Sequence, residues 1–473
     1  MKKLLLFGFA WLTGSMVLSV ALAADVRPNI LIILADDLGY ADVGFTGGKD
    51  IKTPNLDTLA AAGARLEQFY VQPVCSPTRA SLMTGRYPMR YGLQVGVIRP
   101  WEDRGLPLEE QVLPMALKGA GYTTAIAGKW HLGNCERAYL PTSRGFDHQY
   151  GHYCGAIDYF KHVRDGGFDW HRDDQVCRDE GYSTHLVARE AERLLREQPA
   201  GKPFFLYVPF NAVHAPHQVP EKYCAPYTSL SEPRRTYAGM VAAMDEAIGG
   251  ILAALDARGL RTNTLIFFSS DNGGPNPGRV TSNGPLRAGK GTVYEGGTRV
   301  CACVAWQGHI KAGTAIAQPL HIVDWYPTLL KLAGASVDQK LPLDGRDIWP
   351  VLTQGKPSPH DEILLNTTPR AGAIRVGDWK LVINGATGTA EEDDESPPPA
   401  GGKKAARKNQ RPGVELFNLT QDLSEKHNLA AANPEKVKEL RARYDALAKQ
   451  AAKPGNQPKP PGYTSPKVWG EQG

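Results

Sequence analysis

The stretch NILIILADD, residues 29–37, decides the fold, because it is a continuous apolar run that ends in two carboxylates. A strand buried on both faces of a parallel sheet has this pattern, without the alternation that marks a half-exposed strand. Open α/β sheets bind their ligands beyond the carboxyl ends of such strands. The stretch therefore predicts a central strand that carries Asp36 and Asp37 to the edge of a functional site.

Three further apolar runs repeat this arrangement along the chain. Each run leads to polar side chains: Lys129 and His131 at the end of TTAIAGKWH, His214 at the end of PFFLYVPFNAVH, and Asp271 and Asn272 within TLIFFSSDNGG. If the strand that reaches Lys129 continues through His131, the two side chains point to the same side. Helical patterns such as STHLVAREAERLLREQ lie between the runs, so we expect an α/β domain with a mostly parallel sheet.

The pattern changes after about residue 345. AIRVGDWKLVIN (373–384) and VELFNLT (414–420) predict strands of an antiparallel sheet, and residues 434–453 predict a terminal amphipathic helix. We therefore expect a catalytic domain over 24–345 and a smaller α+β subdomain over 346–473. Within the subdomain, the mixed-charge, proline-containing segment 385–413 predicts a disordered insertion, and the proline-rich tail 454–473 is expected to be extended and loosely held.

The first 23 residues are typical of a signal peptide. Two lysines precede an apolar run, and Ala21-Leu22-Ala23 supplies a small-residue cleavage site. A retained membrane anchor is the alternative, which the interruption of the run at Thr13 to Ser15 disfavours. We expect no later segment long and apolar enough for stable membrane insertion, and hence a periplasmic or secreted protein. Its net charge of +5, reduced to +3 without Lys2 and Lys3, is too small to indicate a nucleic-acid partner.

The cysteine count is informative for an exported protein, because oxidising compartments pair thiols. The chain has seven cysteines, an odd number. If Cys75 has a separate function, the other six form up to three disulfides or remain buried thiols. The sequence leaves both alternatives and the connectivity open.

Cys75 lies in VQPVCSPTRASLMTGRY, residues 71–87, with no second cysteine nearby. A lone cysteine is most often a small buried hydrophobe. Here, Pro73 and Pro77 bracket it and arginines follow, so the segment predicts a turn that leads into a helix. Backbone N–H donors and guanidinium charge suit a nucleophilic anion site, and we therefore expect Cys75 not to be buried in a core.

Two acidic pairs are candidate metal ligands. Asp36 with Asp37, and Asp271 with Asn272, offer hard oxygen atoms at the ends of two apolar strands, as Mg²⁺ and Ca²⁺ prefer. Either pair alone would more often form a turn or a helix cap. Two pairs at the ends of strands in one sheet favour a single metal site.

These motifs together carry a family resemblance. CSPTRASLMTGR (75–86) resembles the sulfatase signature, in which Cys-x-Pro-x-Arg followed by Leu-Thr-Gly-Arg directs oxidation of the cysteine to formylglycine; Met83 replaces the leucine. Further blocks from about residue 27 to 430, among them ADDLGYADVGF, SSDNGG and LFNLTQDLSEKHNLA, also resemble sulfatases, most closely the arylsulfatase B branch. The resemblance implies an alkaline-phosphatase-like α/β/α sandwich with a large mixed, mostly parallel sheet.

The resemblance also implies a role for each candidate residue. Hydrated formylglycine attacks sulfur, and its second hydroxyl then expels sulfate. The implied metal ligands are Asp36, Asp37, modified Cys75, Asp271 and Asn272, with Ca²⁺ as the expected ion and Mg²⁺ as the alternative. In the implied catalytic set, Arg79 steadies the diol, Lys129 and Lys290 neutralise sulfate oxygens, His131 takes the proton of the second hydroxyl, and His214 is the general acid. A formylglycine-generating or anaerobic maturation enzyme is the implied partner.

The favoured hypothesis is an exported sulfatase that acts on a sulfated carbohydrate or an aryl sulfate. One alternative is a phosphonate or phosphate ester hydrolase of the same superfamily. Another is a non-catalytic binder of sulfated polysaccharide, with Cys75 unmodified. VTSNGPLRAGK (280–290) differs in its first part from the arylsulfatase B pattern, so the sequence leaves the substrate open.

Overall fold

A computed structural model of the chain describes residues 27–368, 371–385 and 413–471. The predicted signal peptide, residues 1–23, lies outside the described residues. So do residues 386–412 of the predicted insertion.

Ten of the described strands form one mixed sheet in the order β13-β2-β12-β11-β1-β10-β4-β5-β8-β9. The described strands are β1 Asn29–Ala35, β2 Ala64–Leu66, β3 Phe69–Tyr70, β4 Thr123–Lys129, β5 His148–His152, β6 Val163–Arg164, β7 Gly167–Phe168, β8 His171–Arg172, β9 Gln175–Val176, β10 Phe204–Pro209, β11 Thr264–Ser270, β12 Ala302–Ala305, β13 Thr314–Ile316, β14 Leu320–His321, β15 Ile363–Thr367, β16 Gly372–Val376, β17 Trp379–Ile383 and β18 Val414–Asn418. The central strands, β11 to β5 in this order, pair in parallel. The predicted mostly parallel sheet is confirmed.

Helices cover both faces of this sheet. The described helices are α1 Pro54–Ala61, α2 Cys75–Thr84, α3 Leu113–Gly119, α4 Ser183–Glu197, α5 Glu221–Cys224, α6 Arg234–Ala257, α7 Glu295–Thr298, α8 Trp325–Leu332, α9 Trp349–Gln354 and α10 Pro434–Ala448. Leu31 and Ile33 of β1 pack with α1, α4 and α6, whereas Ile30 and Ile32 pack with α2, α3 and α8. Because alternate residues of a strand point to opposite faces, a strand between two helix layers must be apolar throughout.

Helix α6 corrects one expectation. Among the described residues it is long and apolar enough to cross a membrane, although we predicted no such segment after the leader. About 72% of its most apolar window is buried inside the protein. Its composition reflects a core helix covered by α1, α4 and α5, as its packing in the larger core shows.

The C-terminal subdomain contains the antiparallel sheet β15-β16-β17-β18. The predicted terminal helix is α10, and its Leu440 and Tyr444 pack on Ile374 and Leu381 of this sheet. Lys380 of β17 pairs with Glu295 of α7 at 2.8 Å, and both side chains are buried. The small sheet is therefore joined to the larger domain by buried charge as well as by apolar contacts.

The tail beyond α10 is held, contrary to our expectation. Residues 451–460 form no helix or strand, yet Trp469 near the end of the chain is only 2% exposed. Its indole nitrogen donates to the carbonyl of Arg164 at 2.8 Å. The proline-rich composition disfavours regular structure but leaves backbone groups and a large aromatic ring available to dock on the domain.

Candidate active site

The candidate site forms where three strands of the central sheet end. Ala35 of β1 is paired with Ser270 of β11, so Asp36 and Asp271, the next residues, leave adjacent strands at the same edge. Lys129 is the last residue of β4, which lies on the other side of β1 beyond β10. Parallel strands thus bring together polar residues that are far apart in the chain.

The three carboxylates of this site are each paired with a buried cation. The closest pairs are Lys129 Nζ with Asp36 Oδ2 at 2.5 Å, Arg79 Nη2 with Asp271 Oδ2 at 2.8 Å, and Lys290 Nζ with Asp37 Oδ2 at 2.9 Å. Arg79 also donates to the carbonyl of Lys129 at 3.1 Å. Removal of one partner of such a buried pair leaves an uncompensated charge, at a cost of about 3–5 kcal/mol.

Cys75 is the first residue of α2, as the predicted turn and helix start require, but it is only 1% exposed. The expectation that it is not buried is wrong, because α2 is covered along its whole length by the sheet, α3 and α8. Cys75 Sγ lies 3.7 Å from Asp36 Oδ1. Burial raises the pKa of the Cys75 thiol well above its ordinary value, so the unmodified side chain is a neutral thiol.

A cluster of donor atoms surrounds this thiol. One ligand atom from each of Asp36, Asp37, Cys75 and His214 lies within 4.8 Å of the others. Asn272 Nδ2 donates to Asp37 Oδ1 at 2.7 Å, while its buried Oδ1 has no hydrogen-bond partner among the described residues. Because a cation would satisfy this amide oxygen, and hard oxygen donors prevail, the cluster fits Ca²⁺ or Mg²⁺.

Asp271 is placed differently from the other predicted ligands. Its Oδ2 accepts from Arg79, and its Oδ1 accepts from the backbone N–H of Asp37 at 3.3 Å. His214, which the sequence predicts only as a general acid, instead belongs to the compact donor group. The sequence places His214 at the end of an apolar run and in the same site, but its distance to the metal-ligand candidates follows only from the position of β10 next to β1 in the folded sheet.

The buried, charged surroundings of the site lower the pKa of one of its carboxylates and raise the pKa of another. Burial by itself would raise the pKa of Asp36, but Lys129, His214 and Arg79 outweigh it and hold that pKa below its ordinary value. For Asp271, burial and the neighbouring Asp36 together raise the pKa in spite of Arg79. A divalent cation would relieve this repulsion and stabilise all the carboxylates in their ionised form.

His131 reaches the site from a turn. The strand ends at Lys129, and His131 adopts a left-handed backbone conformation with φ of 58°, so β4 does not continue through it as the spacing argument assumed. Its Nε2 lies 3.1 Å from the carbonyl of Ile98 and therefore carries the proton, whereas its buried Nδ1 has no partner among the described residues. Burial and the nearby charges of Lys129 and Arg79 hold the His131 pKa well below its ordinary value. The neutral ring thus offers Nδ1 as an acceptor.

His214 is oriented the other way round from His131, with Nδ1 hydrogen-bonded to the backbone and Nε2 turned to the site. Its Nδ1 donates to the carbonyl of Ala215 at 2.6 Å, which turns Nε2 towards Asp37 Oδ2, 3.6 Å away. The second ring nitrogen therefore faces the donor cluster. A protonated His214 would present an N–H there, as a general acid requires.

A small pocket opens onto the cluster, with Cys75, His131 and His214 in its wall. Arg99 and Arg164 also line it, and the sequence did not single them out. The segment GVIRPWEDRG (96–105), which follows the signature and has an arginine two residues before a tryptophan, could have indicated Arg99. Arg164 lies in a short hairpin with no comparable signal.

A larger cavity lies at the opposite, amino-terminal end of the strands. Its volume is about 250 Å³, and Thr123, Phe204 and Leu206 are among its lining residues. None of the predicted site residues lines it.

All seven cysteines are free thiols in this structure. Of the two alternatives that the sequence left open, the structure therefore shows thiols. Cys301 and Cys303 are fully buried in the core of the large domain.

The chain matches proteins of known family along most of its length. The sulfatase family model matches residues 28–335. Arylsulfatase J of Mus musculus is 38% identical, with 95% of this chain and 81% of the relative covered. N-acetylgalactosamine-6-sulfatase of Rattus norvegicus is also 38% identical, over 71% of this chain and 68% of the relative.

A solved structure shares the architecture. The crystal structure of Ps i-CgsB superposes with a TM-score of 0.80 and 33% identity, covering 91% of this chain and 94% of that protein. The same protein has been solved in complex with k-i-k-neocarrahexaose. The architecture is therefore that of a known fold, as the resemblance implied. It consists of a mixed sheet with helices on both faces and a small antiparallel sheet. The expected likeness to the arylsulfatase B branch in particular stays a prediction.

Proposed function

This chain belongs to the sulfatase family and is a sulfuric ester hydrolase, and from that premise we propose that it is an exported enzyme acting on a sulfated glycan. We further propose that its nucleophile is formylglycine derived from Cys75. The burial of Cys75 against Asp36 carries this proposal. A neutral thiol at that place is a poor nucleophile, whereas a hydrated aldehyde there supplies a hydroxyl for attack and a second hydroxyl for release.

The proposed metal is Ca²⁺, with Mg²⁺ as the alternative. Asp36, Asp37, Asp271, Asn272 and modified Cys75 would hold it, and the orphaned amide oxygen of Asn272 supports this set. A bound divalent cation lowers the pKa of a coordinated hydroxyl and polarises the ester.

The remaining residues have roles that follow from their contacts. The cations Lys129 and Lys290 neutralise the sulfate oxygens, since a site that already holds buried cations stabilises added negative charge. Arg79 is fixed by Asp271 and by the Lys129 carbonyl, which suits it to orient the hydroxyls at residue 75.

The two histidines are proposed to act on different protons. His131 Nδ1 has no hydrogen-bond partner in the described part of the chain, and as an acceptor on a neutral ring it takes a hydroxyl proton. His214 Nε2 faces the cluster and gives a proton to the leaving oxygen. A poor leaving group such as a sugar alcohol needs this second proton transfer.

The comparisons support a glycan substrate. One similar enzyme is named for N-acetylgalactosamine 6-sulfate, and Ps i-CgsB was solved with k-i-k-neocarrahexaose. The leader sequence supports export to the periplasm or beyond, and the intact Cys-x-Pro-x-Arg supports recognition by a maturation enzyme.

The test is the mass of the tryptic peptide 66–79 from active protein, which reports the oxidation of Cys75 directly. We expect the mass of the aldehyde, reaction with a hydrazide probe, and loss of activity in Cys75→Ala, whereas the half-buried Cys177→Ser keeps activity. An unmodified thiol in fully active protein would contradict the proposal. Rates on matched aryl sulfate, phosphate and phosphonate esters test the reaction class, and a preference for a phosphoryl ester would favour the superfamily alternative.

A further inference from the structure

Lys290 lies in a loop of the large domain that reaches both the active site and the C-terminal subdomain. This loop, residues 284–294 and called the lysine loop below, leads into α7. Lys290 is near its middle, with Nζ 2.9 Å from Asp37 Oδ2. The N–H of Gly291 donates to the carbonyl of Pro73 at 2.8 Å, just before the cysteine of the site. The middle of the loop therefore contacts the reaction centre.

The two ends of the lysine loop are held by the C-terminal subdomain. At the first end, Arg287 Nη1 donates to Glu415 Oε1 of β18 at 3.1 Å and to the carbonyl of Glu425 at 2.9 Å. At the second end, the Tyr294 hydroxyl donates to Glu415 Oε2. The guanidinium of Arg287 also lies 3.8 Å from the centre of the Tyr294 ring. One carboxylate of β18 thus binds both ends of the loop.

The start of α7, directly after the loop, is fixed by the same subdomain. The N–H of Glu295 donates to Glu425 Oε2 at 2.7 Å. Lys380 of β17 pairs with the Glu295 and Glu425 carboxylates at 2.8 and 2.9 Å. These three groups are buried, whereas the side chain of Glu415 is 23% exposed. Because removal of a buried charge is the more destabilising change, Glu415 is the residue at which the contact to the loop can be tested.

The backbone beside Lys290 depends on such contacts. Ala288 adopts a left-handed conformation with φ of 61°, which costs about 1–2 kcal/mol for a residue with a side chain. Asn283 Nδ2 donates to the Ala288 carbonyl at 3.0 Å. At Gly289, a Cβ atom would lie 2.3 Å from the carbonyl oxygen of Gly274. A backbone of this kind persists only where its surroundings determine it.

The position of the Lys290 ammonium group matters more than its presence. A charge donor stabilises a transition state only if it is held in place before the reaction, and a displacement of about 1 Å can cost a hundredfold in rate. The lysine side chain is long and flexible, so the place of its backbone decides what Nζ can reach. Contacts that fix the lysine loop therefore bear directly on the reaction.

We propose that Glu415 is a positioning residue for Lys290, which it places through Arg287 and Tyr294. The C-terminal subdomain thereby determines where one cation of the reaction centre stands. The inference rests on the proposed function, in which Lys290 neutralises sulfate oxygens. Glu415 is not among the residues that line the pocket, so it acts through the loop and not on the substrate.

The test is a double-mutant cycle between Glu415→Ala and Lys290→Met, with kcat/KM measured on the fluorogenic substrate 4-methylumbelliferyl sulfate. Glu415→Ala alone should lower kcat/KM about tenfold, because the loop is released. In the Lys290→Met background the same change should lower it by less than about twofold, because the cation that Glu415 positions is already absent. A purely structural role would lower activity by the same factor in both backgrounds. Equal factors, or no effect of Glu415→Ala alone, would overturn the inference.

Arg287→Gln breaks the same contact from the loop side and should reproduce the pattern if Glu415→Ala fails to fold. Glu362→Ala is the matched control, because Glu362 lies in the same subdomain, is 29% exposed and pairs with Arg443 of α10. It should retain kcat/KM in both backgrounds.

Hydrogen exchange of the lysine-loop amides gives a readout that is independent of activity. Exchange should be about tenfold faster in Glu415→Ala than in the wild type or in Glu362→Ala. Unchanged exchange would show that Glu415 does not hold the loop.

The outcomes separate this inference from the proposed function. If Lys290→Met is impaired and Glu415→Ala is not, the proposed function stands and the positioning role falls. If Lys290→Met keeps full activity, the role proposed for Lys290 fails, and the positioning role fails with it. If the wild-type chain hydrolyses no sulfate ester, the hydrogen-exchange comparison still decides whether Glu415 fixes the loop.

Discussion

Lys290 donates a hydrogen bond from Nζ to Oδ2 of Asp37 at 2.9 Å, and both side chains are buried. The two residues lie 253 positions apart in the chain. Lys290 helps to hold the pKa of Asp37 below its ordinary value, against the effect of burial. A lysine in a loop after β11 thus becomes part of the charge balance of the site.

Replacement of Lys290 by methionine should lower kcat/KM on an aryl sulfate by about a hundredfold or more, because one preorganised charge donor is lost. Methionine keeps much of the side-chain volume, so the loss reports charge rather than packing. Lys331→Met, in a half-exposed lysine paired with Asp347, is the control and should retain activity. Steady-state kinetics measures both, and equal activity of the two variants would remove Lys290 from the site.

Removal of the metal by a chelator should abolish activity and lower Tm, because the buried carboxylates would lose a compensating cation. Added Ca²⁺ or Mg²⁺ should restore both. In Asn272→Ala, restoration should need a higher metal concentration, since this variant lacks the amide oxygen proposed as a ligand. Elemental analysis of active enzyme provides an independent measurement, and stoichiometric zinc without an alkaline-earth ion would contradict the ligand assignment.

The two histidine variants should differ in their dependence on the leaving group. His214→Ala should impair sulfated sugars far more than an activated nitrophenyl sulfate, because nitrophenolate departs without protonation. His131→Ala should slow all substrates and leave sulfate attached to the residue 75 peptide, detectable by mass. His427→Ala, in an exposed histidine, is the control. If only the His214 variant retained bound sulfate, the two roles would be exchanged.

Protein stability should fall as pH rises through the titration of Glu425. Lys380 Nζ lies 2.8 Å from Glu295 and 2.9 Å from Glu425, all three buried. Burial, against the effect of Lys380, raises the pKa of Glu425 to about 7, and Glu295 adds to this rise. Since the native state then binds more protons than the unfolded state above the ordinary glutamate pKa, stability is lost between about pH 4.5 and 7.

Glu425→Gln should reduce the loss of unfolding free energy over this pH range by on the order of 2 kcal/mol, because glutamine stays neutral throughout. Denaturant unfolding between pH 5 and 8 measures it, with the exposed Glu439→Gln as control. A Glu425→Gln profile parallel to that of the wild type would show that Glu425 is ionised throughout this range.

Much of the fold follows from local patterns. The apolar run from Asn29 to Ala35 forms β1, and the helical pattern at 183–198 forms α4 from Ser183 to Glu197. Such elements are predictable because periodicity reflects which faces of one segment are buried. The same local reading places Cys75 at a helix start, which the structure confirms.

Local patterns fail where burial depends on distant segments. Cys75 is buried because elements far along the chain cover α2, and the tail is held because Trp469 docks on Arg164, 305 residues away. His131 faces the site through a left-handed turn that a strand pattern does not reveal. Composition describes what a segment tends to do alone, whereas these positions are set by what packs against it.

The sequence by itself determined the family, the strand ends that carry polar residues and the residue types needed for sulfate chemistry, because these are written in short contiguous motifs. Only the tertiary structure decided that Lys129 pairs with Asp36, that Arg79 pairs with Asp271, and that His214 joins the donor cluster. The physical reason is that parallel strands bring their carboxyl ends to one edge of the sheet. In a buried site the strength of an ion pair depends on distances of a few ångströms, so only the folded structure decides which charges pair.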